Sequence, residues 1–239
     1  MSAAYSAIAT VHAAIGVLAL ITFWTAAFVR KGSLLHRKVG QGYLIALLGI
    51  IATAVPLAVF KYLQAKPVAA AFLLYLCVLT AASMWTAWRA IRDKHDVVRY
   101  TGGVYTGLAW LCIVSGLAVL ALGVIKLSFL LAGFSTVGIM AGTGMLRTRR
   151  NRARLAADVR WWLSEHYSAM LGNGVATHIA FLSIGLPRML PAVDRSTLVY
   201  IAWFAPLAVA LVAKVIIDRR WKSQPRPQTS GPTLQTASR

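Results

Sequence analysis

Seven stretches of this chain stay apolar for about twenty residues or more, at about 6–29, 42–63, 67–91, 104–124, 126–146, 163–187 and 197–218. A helix crossing the hydrocarbon core of a bilayer needs about 20 such residues, and only helices or closed barrels satisfy their own backbone there. Runs of this length therefore predict an all-α fold. The expected architecture is an integral membrane seven-helix bundle over residues 1–221, with a disordered tail over 222–239. That tail, "KSQPRPQTSGPTLQTASR", lacks the apolar residues to fold. The joints carry turn signals: "RKGS" at 30–33, "KP" at 66–67, "TGG" at 101–103 and "LPRMLP" at 186–191.

Composition supports the reading. Hydrophobic residues make up 59% and charged residues 13% of the chain, where a soluble domain carries about 25% charged. A net charge of +19 in a soluble protein would suggest nucleic acid. Here the basic residues sit between the apolar runs, where the positive-inside rule accounts for them and no nucleic-acid partner is needed. Of the 25 Lys and Arg, only Lys61, Lys66, Lys126, Arg188 and Arg195 fall on one side of a seven-span topology. The other 20 fall on the opposite side, which predicts the N-terminus outside and the C-terminus cytoplasmic, in a bacterial-type inner membrane. The first run reads as a retained span because its positive charge, Arg30 and Lys31, follows it. Trp85, Trp88, Trp161, Trp162 and Trp221 form an aromatic belt near the cytoplasmic ends. "GIMAG" at 138–142 is a small-residue packing face, and Cys77 and Cys112 read as buried thiols.

An ionisable group inside a membrane is a functional hypothesis by default. Glu165 is the only acid within a span, and it lies too near the cytoplasmic face for a mid-membrane antiporter carboxylate. Lys214 lacks the mid-membrane aspartate that a retinal Schiff base needs, and reads as a snorkelling residue. The histidines carry more. His12 lies about 9 Å and His178 about 13.5 Å inside the same face, counted at ~1.5 Å per residue. Two imidazoles on different helices at one depth are what axial ligation of a b-type haem requires. The expected site is therefore haem b between the first and sixth spans, on His12 and His178, with Gly16 and Gly174 clearing room for the ring. His36 and His166 form a second pair near the cytoplasmic interface.

Geometry also supplies a rival. His166 and His178 are twelve residues apart and so point about 120° apart around a helix. The face of His166 carries Met170, Asn173 and Thr177, and Glu165 adjoins it. Glu165, Asn173 and Thr177 then form a polar seam, either bonding to neighbouring helices or lining the path of a cofactor-free helper, channel or small-molecule transporter. Another metal, zinc or copper, would want a third ligand, for which Met170 is the available residue. No GxSxG or HExxH occurs, which ranks hydrolysis last.

The stretch "VHAAIGVLALITFWTAAFVRKGSLLHRKVGQGYL" resembles a group of uncharacterised bacterial polytopic membrane proteins, through His12, Lys31, Gly32, His36, Arg37, Gly40 and Tyr43. The resemblance covers about the first 45 residues, with "SEHYSAM" at 164–170 a fainter echo. Such proteins are loosely similar to two-haem transmembrane cytochromes b. That similarity implies His12, His36, His166 and His178 as haem ligands, and electron transfer with a redox partner or quinone. The twelve-residue spacing departs from the cytochrome pattern.

Overall fold

The computed structural model describes residues 3–222, so residues 223–239 of the expected tail lie outside the described residues. All regular structure among the described residues is helical: α1 (Ala3–Phe28), α2 (Leu34–Leu63), α3 (Pro67–Arg92), α4 (Val97–Tyr100), α5 (Gly103–Ile125), α6 (Phe129–Arg150), α7 (Arg152–Ala156), α8 (Trp161–Met189) and α9 (Arg195–Lys222). Seven of these are long and apolar enough to cross a membrane, the organisation of a multi-pass membrane protein.

The largest departure from expectation is at α2, which starts at Leu34 rather than near residue 42. Gly32 turns the chain at φ +77°, a conformation that suits glycine, and the Ser33 hydroxyl accepts the His36 N–H as an N-cap. His36 therefore sits in the first turn of α2 instead of leading into it. Across the same turn, the Lys31 ammonium donates to the Ala26 and Ala27 carbonyls and closes the end of α1. The short helices α4 and α7 were not expected. Arg152 ties them together, donating through Nε to Thr101 Oγ1 at 2.7 Å and through Nη2 to the Thr101 carbonyl at 2.9 Å.

Helices α1, α2, α3 and α8 close a four-membered ring: α1 and α3 each pack on both α2 and α8. That leaves α2 and α8 facing one another across the diagonal. Helices α5 and α6 pack tightly together, α5 leans on α3, and α9 leans on α8. Glycine makes the α5–α6 seam close. A Cβ on Gly123 would lie 2.7 Å from Ala132 N, one on Gly138 would lie 3.0 Å from the Cys112 carbonyl, and one on Gly142 would meet the Ala109 carbonyl first. The expected packing role of "GIMAG" is thus directed at α5.

Polar contacts that join neighbouring helix ends show which ends coincide. His36 meets the carbonyl of Ala26, Glu165 meets Tyr100, and Tyr167 meets Asp218. Arg30, Lys31, Arg99 and Arg152 gather at the same end of the bundle, its basic end. Side chains such as Val17, Ile45, Val114 and Val209 are exposed around the outside, as a lipid-facing surface requires.

Candidate functional site

Three- and four-residue spacing gives each helix of the ring one inward face. On α1 it carries Ala19, Phe23 and Ala26. On α2 it carries His36, Tyr43 and Leu47, on α3 Thr80, Met84 and Ala87, and on α8 His166, Met170, Asn173 and Thr177. Ala19, Tyr43 and Ala87 are fully buried, which confirms the direction of these faces.

The layer nearest the basic end holds two histidines on the diagonal helices. His36 Nδ1 lies 3.1 Å from the carbonyl oxygen of Ala26, and His166 Nδ1 lies 2.9 Å from that of Ala87. A carbonyl only accepts, so each Nδ1 donates its hydrogen and each Nε2 keeps its lone pair. The two anchoring carbonyls belong to α1 and α3, the helices that flank the diagonal between α2 and α8. One turn toward the opposite end, Phe23, Met84 and Met170 pack against Ala19, Tyr43, Ala46 and Leu47.

Beyond the methionines, the Thr177 hydroxyl donates to the Asn173 carbonyl at 3.0 Å, which leaves it to accept from the Tyr43 hydroxyl, also at 3.0 Å. The Asn173 side chain is 1% exposed, and neither its nitrogen nor its oxygen has a hydrogen-bond partner.

His12 and His178 are not brought together. His12 Nδ1 pairs with Thr53 Oγ1 of α2 at 2.7 Å. His178 donates through Nδ1 to the Gly174 carbonyl at 2.7 Å, and its Nε2 accepts the indole N–H of Trp24 at 3.0 Å. Trp24 is twelve residues along α1 from His12, a separation of about 18 Å. With both of its nitrogens engaged, His178 has no lone pair left for iron. Gly174 makes room for Phe23, whose ring carbons would lie 2.5 and 2.6 Å from an added Cβ, while a Cβ on Gly16 would meet nothing within 4 Å. These residues do not fit a haem shared by α1 and α8.

The expected polar seam also divides. Asn173 and Thr177 face the ring, but Glu165 turns outside it and accepts from the Tyr100 hydroxyl of α4 at 2.7 Å. The polar residues of α8 therefore reach five different partners: Glu165 binds α4, His166 binds α3, Tyr167 binds Asp218 of α9, Thr177 binds α2 and His178 binds α1. Trp24 and Met84 had no signal in the sequence, since an aromatic or methionine at helical spacing is usually core.

For a haem on the inner pair the fit is partial. The two imidazoles present free Nε2 atoms from diagonal helices, as axial ligands do. The adjoining layer, however, is filled by Phe23, Tyr43, Met84 and Met170 rather than left open as a slot for a macrocycle. Among the described residues no three His, Cys, Asp or Glu side chains gather as a metal site. No family model, curated protein or solved structure matches this chain.

Proposed function

We propose that this membrane protein holds a transition-metal centre between His36 and His166 and uses it in electron transfer. One observation carries the reading: two imidazoles on diagonal helices, each anchored through Nδ1 to a backbone carbonyl, with each Nε2 unengaged. Metal-bound histidines characteristically donate their other N–H in this way, which fixes the tautomer and raises the basicity of the ligating nitrogen. By the positive-inside rule the basic end is cytoplasmic, in a bacterial-type inner membrane with the N-terminus outside. The centre then lies near that face, within reach of a soluble redox partner or of a quinone in the lipid. The occupant is haem iron or a bare ion; the donor pair accepts either.

The test is metal analysis and an absorption spectrum of detergent-purified protein expressed with ample haem and metal supply. His36→Ala and His166→Ala each remove the bound metal or haem, whereas His12→Ala and His178→Ala retain it. Retention in both inner variants refutes the assignment. A colourless, metal-free wild type under every supply favours the second reading, a cofactor-free helper, channel or transporter. The bonding of α8 to five neighbours supports that alternative.

A further inference from the structure

Resting on that reading, we infer that the occupant is a single Cu(I) ion, held by His36 Nε2, His166 Nε2 and the thioether of Met170, with Met84 as the fourth soft donor. Three features of the ring point to it.

The first is charge. The four donors are neutral, Glu165 is bonded to Tyr100 outside the ring, and the Lys31 ammonium shares the Ala26 carbonyl with His36, so among the described residues the site's surroundings carry positive and no negative charge. Burying Cu(II) in such a low-dielectric layer costs more than burying Cu(I), which biases the couple toward the monovalent ion at rest and gives it a high reduction potential.

Donor softness is the second feature. Zinc structural sites are built with thiolate, imidazole or carboxylate ligands, and no such group of three exists here among the described residues. Imidazole with thioether sulfur selects Cu(I).

Position is the third. Met170 follows His166 by four residues on one face of α8, and Met84 precedes Ala87, whose carbonyl anchors His166, by three residues on α3. Both methionines are half-buried and pack in the same cluster with Tyr43, which shares the face of His36. The thioether is flexible enough to turn its sulfur toward a bound ion. Beside the pair, one turn along α2 from His36, a Cβ on Gly40 would meet nothing within 4 Å. An ion needs far less space there than a macrocycle, which would have to displace the packed Phe23, Met84 and Met170.

The experiment titrates the full-length protein, anaerobically in detergent, with Cu(I) against a chromophoric Cu(I) chelator. X-ray absorption at the copper edge and a haem spectrum are taken on the same preparation. Wild type takes up one equivalent, with sulfur as well as nitrogen in its first shell. Met170→Leu, which conserves volume, weakens binding by about ten-fold or more, the scale on which even outer-shell partners of a metal count. His178→Ala leaves the affinity unchanged. A first shell without sulfur, or Met170→Leu and Met84→Leu variants that both bind as wild type, overturns the thioether site. A Soret band that depends on His36 and His166, without copper uptake, overturns this inference while the metal-centre reading stands. Uptake of neither copper nor haem overturns both. Because the first-shell composition is read on wild type, the conclusion does not depend on any variant folding.

Discussion

The α5–α6 seam permits a prediction in which one glycine is compared with another on the same helix. A Cβ at Gly123 would lie 2.7 Å from Ala132 N, 3.1 Å from Ala132 Cα and 3.2 Å from Leu131 C. All three atoms are backbone, so no side-chain rotation relieves the clash. Restoring an ordinary 3.4 Å contact moves α6 away from α5 by roughly 0.7 Å along a tightly packed pair. Overpacking of this kind costs ~1–3 kcal/mol, with a backbone clash toward the upper end. Alanine's helix preference over glycine offsets ~1 kcal/mol, leaving Gly123→Ala destabilised by about 1–2 kcal/mol. A Cβ at Gly107 would meet nothing within 4 Å, so Gly107→Ala keeps only the propensity gain and is neutral to ~1 kcal/mol more stable. Reversible unfolding in mixed SDS micelles compares the two. A Gly123→Ala protein as stable as Gly107→Ala would refute the close approach of α5 and α6.

Three further outcomes follow from individual contacts. Tyr43→Phe removes the hydroxyl bonded to Thr177 and weakens the bundle by about 0.6 kcal/mol, and by no more than ~1.7, the range for interhelical hydrogen bonds in membranes. A double-mutant cycle with Thr177→Val checks that the loss belongs to the pair. Asn173→Leu stabilises the protein by ~1–3 kcal/mol in the same unfolding assay, because a buried amide with both polar atoms unpaired is replaced by an apolar side chain. A destabilised variant would mean that the amide has a partner. Asp194 accepts from the Ser196 hydroxyl and the Thr197 N–H at the start of α9, and these bonds hold its carboxyl below the usual range. A depressed carboxyl contributes its stability above the unfolded value of about 4 and loses it as pH falls through the folded one. Amide exchange in the first turn of α9, corrected for intrinsic rate, accelerates below that pH in wild type and shows no such step in Asp194→Asn.

Much of the architecture was readable from residue order alone. Length and apolarity mark each membrane-crossing helix, because a backbone in lipid has to bond to itself and only a long helix does so across the bilayer. The spacing of His166, Met170, Asn173 and Thr177 also determined that they share a face, since 3.6 residues per turn is a property of the helix and not of its neighbours. The start of α2 was misplaced for a local reason. His36, Arg37 and Lys38 look like a loop beside an apolar run, yet Gly32 and Ser33 set a turn and cap that let the helix begin before them.

Which histidine meets which partner was a matter for the tertiary structure. Depth counted from a helix end is comparable between helices only if their ends lie in one plane. At 29 residues, or about 44 Å at ~1.5 Å per residue, α8 is longer than the hydrocarbon core requires. Its offset against α1 places His178 beside Trp24 and leaves His12 with Thr53. The same packing puts α2 and α8 on a diagonal and anchors His36 on α1 and His166 on α3, the helices between them. Residue order determines helices and faces because those depend on local geometry and transfer free energy. Pairings across the ring depend on the tilt, offset and contact of several helices at once, which only the packed bundle decides.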